Sequence, residues 1–341
     1  MQMRDDLGIT TKLENGKAYL EFALPEKIGR LLSALQIEIW EGAEGERLVF
    51  HGEYSSEEAD SMTALLLRPH LWDGMRDPYV YLVKAQGRFR SVEYGEKMGG
   101  MEKEEKLDPA EDITGEVEMY WRQELTIYDV RVVEKKGILL NEKEFLPHEV
   151  VYRLPPQISD AGTRVEQVRR DLERLVRMGV NVIRLEGTGT GAEGVNCSEV
   201  RTFYSLCRKR GFLTGDLWIR PENLPVYRGL PGETTCQALL AADGRTLTER
   251  YYYYQAKWSS EPVLYPVLST LHRQENGLLS LTIYSNQKKV VLYVDGLLFL
   301  FQTAASGDPE FIFEDIPVAK LPLHLAAEAG NLSISLTVTK L

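Results

Sequence analysis

Apolar and polar residues alternate with a period of two along the first hundred positions of the chain. The clearest runs are residues 18–23, 35–40, 63–68 and 79–84. This period is typical of a β-strand with one buried face, because successive side chains point to opposite sides. Turn-forming pairs such as Asn15-Gly16 separate the runs. The pattern therefore predicts an antiparallel β-sandwich in this part of the chain.

A polar segment interrupts the alternation at residues 96–112. It mixes acidic and basic side chains and has no apolar period, which is typical of a solvated linker or a long loop. Period-two runs return at residues 115–133 and 137–145, and further strands are predicted there.

The spacing of apolar residues becomes helical after residue 160. Thr163 and Glu166 form a capping-box pair that predicts a helix start. One apolar stripe follows at Val165, Val168, Leu172 and Leu175. Gly179 is suited to end this helix in the left-handed conformation. A strand at 180–185, a helix at 198–209 and a strand at 212–219 complete a predicted β-α-β unit with parallel strands.

Residues 221–250 are rich in proline, glycine and polar groups, with a short helix predicted at 236–242. From residue 251 the period-two pattern returns and predicts a second β-sandwich. Its clearest runs are residues 279–284, 289–294, 297–303, 310–314 and 332–339.

Charge and composition narrow the classes of function. The net charge of −11 and the pI near 5.2 disfavour nucleic acid and anionic membranes as partners. No run of 18 apolar residues predicts a membrane span, and the first residues carry no export signal. Three cysteines without a CxxC pair or a His/Cys cluster predict neither a disulfide framework nor a zinc site. A cytoplasmic location is the expectation.

Several strings, in order along the chain, resemble one enzyme family. Leu71-Trp72 with residues 77–82 resembles an "LW…P-x-L-Y" strand, and residues 127–131 with 137–141 resemble "G-F-R … F-x-L-N-G". Residues 171–184 are similar to "D-L-x-x-x-K-x-x-G-x-N-x-I-R", and residues 203–211 to "F-Y-x-L-C-D-x-x-G". Residues 284–286 and 294–296 resemble "Y-S-N … V-x-L-x-x-N-G". Together they resemble glycoside hydrolase family 2, the β-galactosidase and β-glucuronidase family.

The resemblance implies a multidomain α+β protein. It implies an immunoglobulin-like β-sandwich over residues 1–110, a degenerate, partial (β/α) barrel remnant over 111–250, and a C-terminal immunoglobulin-like β-sandwich over 251–341. The N-terminal jelly-roll domain that is usual in this family has no counterpart.

The same resemblance implies that the family's chemistry is absent. Family members cleave glycosides with two glutamates on middle and late barrel strands, about 5 Å apart in retaining enzymes. Only 34 residues separate Asp216, where the resemblance to the start of the barrel stops, from Tyr251, where the barrel exit begins. One β/α unit needs roughly 30 residues and a full barrel about 250. No residue matches either catalytic glutamate, so none is predicted as inherited.

Weaker candidates remain at the ends of the predicted parallel strands. Glu186 and Asp216 are candidate catalytic carboxylates, and with Glu149 or Glu222 either could form a new acid/base pair. Candidate ligand-binding residues are Arg184, Glu186, Asp216 and Trp218.

Two further motifs have competing interpretations. Residues 189–194 match GxGxxG, which is typical of a dinucleotide site, but a loop that replaces deleted structure is the favoured alternative. The tyrosines at 251–254 with Trp258 could stack on sugar rings, although packing is favoured. The five scattered histidines show no metal-ligand spacing, so neither a metal nor a cofactor is predicted.

Three hypotheses about function stay open. The chain is a non-catalytic binding or scaffolding module for carbohydrate or protein, an active glycosidase with relocated carboxylates, or one subunit of an enzyme completed by a second chain. Because the remnant cannot close into a barrel, the open edges of its sheet must be covered, either by the loop at 96–112, the 221–250 segment or a sandwich face, or by another chain, for which a homodimer or a partner chain is the prediction.

Overall fold

The structure is a computed structural model. It describes residues 7–92, 113–155, 161–186, 197–215, 224–228, 238–241, 243–305 and 307–340. The chain divides into two compact units, Met1–Phe145 and Leu146–Leu341. The predicted linker at 96–112 lies outside the described residues.

The first unit contains a two-sheet β-sandwich. Its elements are β1 (Gly8–Glu14), β2 (Lys17–Ala23), the short helix α1 (Glu26–Gly29), β3 (Leu32–Glu41), β4 (Arg47–Ser55), β5 (Thr63–Leu67), β6 (Tyr81–Val92) and β7 (Ile113–Leu125), with 3-10 turns at Ser56–Glu58 and Gly74–Arg76. One sheet has the order β1-β2-β5 and the other β4-β3-β6-β7, and all pairs are antiparallel.

The alternation of apolar and polar residues places one face of each strand in the core of this sandwich, as predicted. In β2 the side chains of Ala18, Leu20 and Phe22 are buried, and the residues between them are exposed. Ile37 and Ile39 of β3 are fully buried in the same core. Because β7 pairs with β6 along its length, the sandwich extends beyond its predicted end at residue 110.

A small three-stranded sheet ends the first unit. Its strands are β8 (Val130–Val133), β9 (Gly137–Leu140) and β10 (Lys143–Glu144). The strands predicted within 115–133 are β7 and β8. Between them the carbonyl of Ile127 accepts a hydrogen bond from the backbone N–H of Trp72. Ile127 is thus bonded outside the sandwich sheet.

The second unit begins with a parallel sheet and its helices. The elements are β11 (Glu149–Tyr152), α2 (Ala161–Met178), β12 (Val182–Leu185), α3 (Cys197–Lys209), β13 (Leu213–Thr214), β14 (Val226–Arg228), β15 (Ala238–Leu240) and α4 (Glu249–Trp258). The five strands are parallel, in the order β13-β12-β11-β14-β15. The predicted β-α-β unit is confirmed, and two strands that the sequence did not predict lie on the other side of β11.

Three local predictions differ from the structure. Because α2 begins at Ala161, Thr163 lies inside the first turn and is not the residue that caps the helix. Residues 238–240, predicted as part of a helix, form β15, since Ala238 and Leu240 pair with β14. The tyrosines at 251–254 lie in α4 rather than in a β region, because four consecutive aromatic residues carry no strand period.

A second β-sandwich completes the second unit. Its strands are β16 (Leu264–Arg273), β17 (Leu279–Ser285), β18 (Lys289–Val294), β19 (Leu297–Thr303), β20 (Glu310–Ile316), β21 (Leu323–Ala329) and β22 (Leu332–Val338). The sheets have the orders β16-β17-β20 and β19-β18-β21-β22. Ile283, Leu292 and Phe313 are fully buried between them. The predicted strands of this region are therefore confirmed.

Candidate functional site

Charged side chains gather where the strands of the parallel sheet end. Since all five strands run in one direction, their carboxyl ends meet at one edge, where α/β proteins place their ligands. Arg153 follows β11, Glu186 follows β12, and Arg228 is the last residue of β14. The structure thus brings the predicted candidate Glu186 next to two arginines that the sequence did not single out.

Glu186 is held in an ion pair at this edge. Its Oε2 lies 2.6 Å from Nε of Arg153, and its backbone N–H donates to the carbonyl of Tyr152 at 2.9 Å. The carboxylate is about half exposed, with 49% of the side chain accessible, whereas Arg153 is mostly buried. Arg153 also donates to the carbonyl of Arg228. The carboxylate therefore faces solvent on one side and a fixed guanidinium on the other.

The other candidates at the strand ends have different outcomes. Asp216, Trp218 and Glu222 lie outside the described residues, as does the GxGxxG string at 189–194. Arg184 contacts Glu149, with Nη2 and Oε1 2.7 Å apart. Because Val151 pairs with Arg184, and Glu149 lies two residues before Val151, both charges project from the same face of the sheet.

A buried carboxylate on α2 organises the opposite face of the sheet. Asp171 is only 1% exposed and accepts hydrogen bonds from the hydroxyls of Tyr227 and Tyr152, at 2.8 and 3.0 Å. Arg228 donates from Nη2 at 3.1 Å. Burial, and then the charge of Asp171, raise the pKa values of Tyr152 and Tyr227, so both hydroxyls stay protonated donors. Sequence reasoning missed this network, although Asp171 is the first residue of the family-like string.

Two other residues of that string are structural. Gly179 ends α2 with a φ of +86°, as predicted, and a Cβ there would lie 2.4 Å from the carbonyl oxygen of Trp258. Asn181 accepts from the backbone N–H of His148 at 2.7 Å and donates to the carbonyl of Leu146 at 2.8 Å. These bonds align the start of β11 beside β12, so glycine and asparagine are required for packing at these two positions.

The tyrosines of α4 are engaged in packing within the second unit. Tyr252 stacks on Tyr265, with ring centroids 3.7 Å apart, and Tyr254 packs against Trp258 at 4.5 Å. The hydroxyl of Tyr251 donates to the carbonyl of Arg174. Stacked faces of this kind are already covered by protein.

Among the described residues no group of three or more histidine, cysteine, aspartate or glutamate side chains is close enough to hold a metal ion. No helix in the described part of the chain is long and apolar enough to cross a membrane. Cys207 is a buried thiol whose pKa is raised by burial, so it serves as a small apolar residue.

No protein-family model and no curated protein sequence matches the chain. Solved structures do. FMN-binding β-glucuronidase from Facaelibacterium prausnitzii L2-6 is 14% identical with a TM-score of 0.63, covering 98% of this chain and 74% of that one. A glycosyl hydrolase family 2 member from Bacteroides cellulosilyticus is 12% identical, with a TM-score of 0.60 over 98% and 63% of the two chains. A putative β-galactosidase from Bacteroides fragilis is 14% identical with a TM-score of 0.57, covering 97% of this chain and 72% of that one.

The fold of the chain is similar to that of glycoside hydrolase family 2 proteins. At these identities the likeness concerns the fold alone, and the chain spans only 63% to 74% of the length of the three structures. The predicted resemblance and the predicted fold class of two sandwiches with a partial barrel are confirmed. In a closed barrel the last strand lies beside the first. In this sheet β11 is the first strand, and β14 lies on the side of it where the last strand of a barrel would be.

Proposed function

We propose that this protein is a glycoside hydrolase family 2-like binding module that does not hydrolyse glycosides. The observation that carries the proposal is the parallel sheet. Among the described residues it is an open sheet of five strands, whereas the barrel of the family is closed and has eight. Further support comes from Glu186, because its carboxylate is tied to Arg153 instead of facing a second described carboxylate.

We propose carbohydrate as the ligand class. The fold is shared with proteins described as β-glucuronidase and β-galactosidase, and a binding surface is retained more easily than a catalytic pair when strands are lost. A glycan array with the purified chain tests this directly. Binding to at least one glycan at micromolar to millimolar concentration is expected. An array without any bound glycan would favour the protein-scaffolding version instead.

The absence of hydrolysis is tested with nitrophenyl β-glucuronide and β-galactoside. The chain and its variants Glu186→Gln and Glu173→Gln are compared; the control Glu173 lies exposed on α2. All three should release nitrophenol at the rate of buffer alone. Turnover that disappears in Glu186→Gln and persists in Glu173→Gln would overturn the proposal.

A second candidate function is a glycosidase with relocated carboxylates. One observation favours it: Glu186 is half exposed at the edge of the sheet where α/β enzymes place catalytic groups. It needs a second carboxyl group about 5 Å away for retention, and the predicted partners for Glu186 or Asp216 are Glu149 and Glu222. Loss of turnover in both Glu186→Gln and Asp216→Asn would support this function. A second chain that restores activity would support the version in which the enzyme is split.

We further propose that a second copy or a partner chain covers the open sheet. Right-handed crossovers place α2 and α3 on one face, and Tyr152 reaches Asp171 of α2 on that face. The opposite face carries Val151, Glu149 and Arg184, of which Glu149 is already buried within the chain, so a partner is expected at the open edges of the sheet, formed by β13 and β15. Light scattering after size exclusion should give twice the chain mass. A stable monomer at dilute concentration would count against the homodimer.

A further inference from the structure

A cavity of about 370 Å³ lies in the first unit, away from the parallel sheet. Its walls come from the β1–β2 hairpin, from the end of β5 and from the small sheet β8–β10. The volume falls within the range of pockets for small ligands, roughly 300–1,000 Å³. We propose that this pocket binds a sugar acid, that is, a small hydroxylated ring that bears a carboxylate.

Hydrogen bonds fix the walls of the pocket in place. The backbone N–H of Arg68 donates to the carbonyl of Gly16 at 3.0 Å, which joins the end of β5 to the hairpin. Asn141 joins the small sheet to the sandwich: its Oδ1 accepts from the backbone N–H of Asp129 at 3.0 Å, and its Nδ2 donates to the carbonyl of Trp72 at 2.9 Å. A ligand therefore meets a preformed site and does not have to order it.

Of the charged groups that line the pocket, Arg68 and Glu142 have no partner among the described residues, and Arg68 is the one that can bind an anionic group. Asp129 is paired with Arg131 at 2.5 Å, and Glu14 with Lys12 at 2.7 Å. The side chain of Arg68 lines the pocket, is exposed, and forms no ion pair or hydrogen bond with any described residue. A guanidinium binds a carboxylate through two parallel N–H···O bonds. Arg68 is therefore the group that would hold the acid function of the ligand.

The remaining lining fits a hydroxylated ring. Glu142 lines the pocket, is exposed, has no partner among the described residues and can accept hydrogen bonds from hydroxyl groups. Leu13, Pro69 and Leu71 provide a partly buried apolar wall for the C–H face of a ring. A mainly apolar lining with a few fixed polar groups is the usual composition of a small-ligand pocket.

This inference deepens the proposed function, since it takes carbohydrate as the ligand class, but it does not depend on whether hydrolysis occurs. Calorimetry with the full chain would compare D-glucuronate and D-galacturonate with D-glucose and inorganic phosphate. The test variant is Arg68→Gln, which removes the charge and keeps a polar side chain at this position. The matched control is Arg122→Gln, an exposed arginine on β7 of the same unit.

A uronate is expected to bind the unmodified chain, and Arg68→Gln should weaken binding about tenfold or more. Arg122→Gln should change it by less than twofold, and the melting temperatures should agree in all three proteins. Equal binding of glucose, equal binding of phosphate, uronate binding that is unchanged in Arg68→Gln, or no binding of either uronate at millimolar concentration would each overturn the pocket assignment. The nitrophenyl assays would be unaffected by these results, so failure of the pocket and failure of the proposed function are distinguishable.

Discussion

The parallel sheet and the two sandwiches are stabilised in different ways. Among the described residues, the charged side chains that are more than nine-tenths buried are Glu149, Arg164 and Asp171, and all three belong to the parallel sheet and its helices. The sandwich cores consist of apolar side chains, together with Ser280 and Ser285 in the second sandwich. A sandwich core thus tolerates many apolar combinations, whereas the sheet depends on specific charged partners.

Removal of the central charge tests this difference most strongly. Asp171→Ala leaves Arg228 and two tyrosine hydroxyls without their acceptor in a buried site, which should lower the free energy of unfolding by about 3–5 kcal/mol. Denaturant unfolding measures it. Glu173→Ala on the exposed side of the same helix is the control and should stay within about 0.5 kcal/mol. A loss of less than 1 kcal/mol in Asp171→Ala would mean that the network is not essential.

The corresponding change in a sandwich removes packing instead of charge. Ile37→Ala creates a cavity in the core of the first unit and should cost about 2–5 kcal/mol. Leu65→Ala, at an exposed position of β5, serves as the control and should have an effect of about 0.5 kcal/mol or less. Similar losses at the two positions would show that this core is not the source of stability.

Two glycines compare the small sheet of the first unit with the parallel sheet of the second at the level of the backbone. Gly137 has a φ of +77° with open space around it, so Gly137→Ala should cost only the conformational strain, about 1 kcal/mol. Gly179→Ala adds a clash with the backbone of Trp258 to the same strain and should cost more, about 1–3 kcal/mol. Thermal unfolding of both variants gives the ranking. A larger effect at Gly137 would contradict the close approach at Gly179.

The smallest expected effect is a pH dependence that comes from a buried histidine of the second unit. Burial lowers the pKa of His148, which stacks on Trp258 with ring centroids 5.2 Å apart. Below pH about 6.5 the folded state therefore binds fewer protons than the unfolded chain. The free energy of unfolding has its full value above this pH and decreases as the pH falls below it. Denaturant midpoints between pH 7.5 and 5 should fall more in the natural chain than in His148→Phe, which keeps a stacked ring without titrating. Equal slopes would contradict this assignment.

The same contrast explains how far the sequence could predict the structure. Strands such as β2 and β17 alternate over seven residues, which is enough to identify both the strand and its buried face. The three-residue strands β14 and β15 are too short to show any period. Asp171 lies on the apolar stripe of α2, three residues after Val168 and four before Leu175, so the pattern indicates that it faces inward. Its partners Tyr152 and Tyr227 are distant in sequence, so the network itself could not be predicted.

The candidate site was predictable only in part. The position of Glu186 at the end of a parallel strand followed from the β-α-β pattern. Its pairing with Arg153 and the pocket around Arg68 each depend on segments that only the folded chain brings together.

The most direct test of the shortened, non-hydrolysing fold is a covalent trapping experiment. Retaining glycosidases form a glycosyl-enzyme intermediate, which 2-deoxy-2-fluoro-β-glycosides with a good leaving group trap on the protein. After incubation with the fluorinated glucuronide and galactoside, intact-mass spectrometry should show the unmodified mass of the chain. A mass increase of one fluorosugar that disappears in Glu186→Gln or Asp216→Asn would contradict the account.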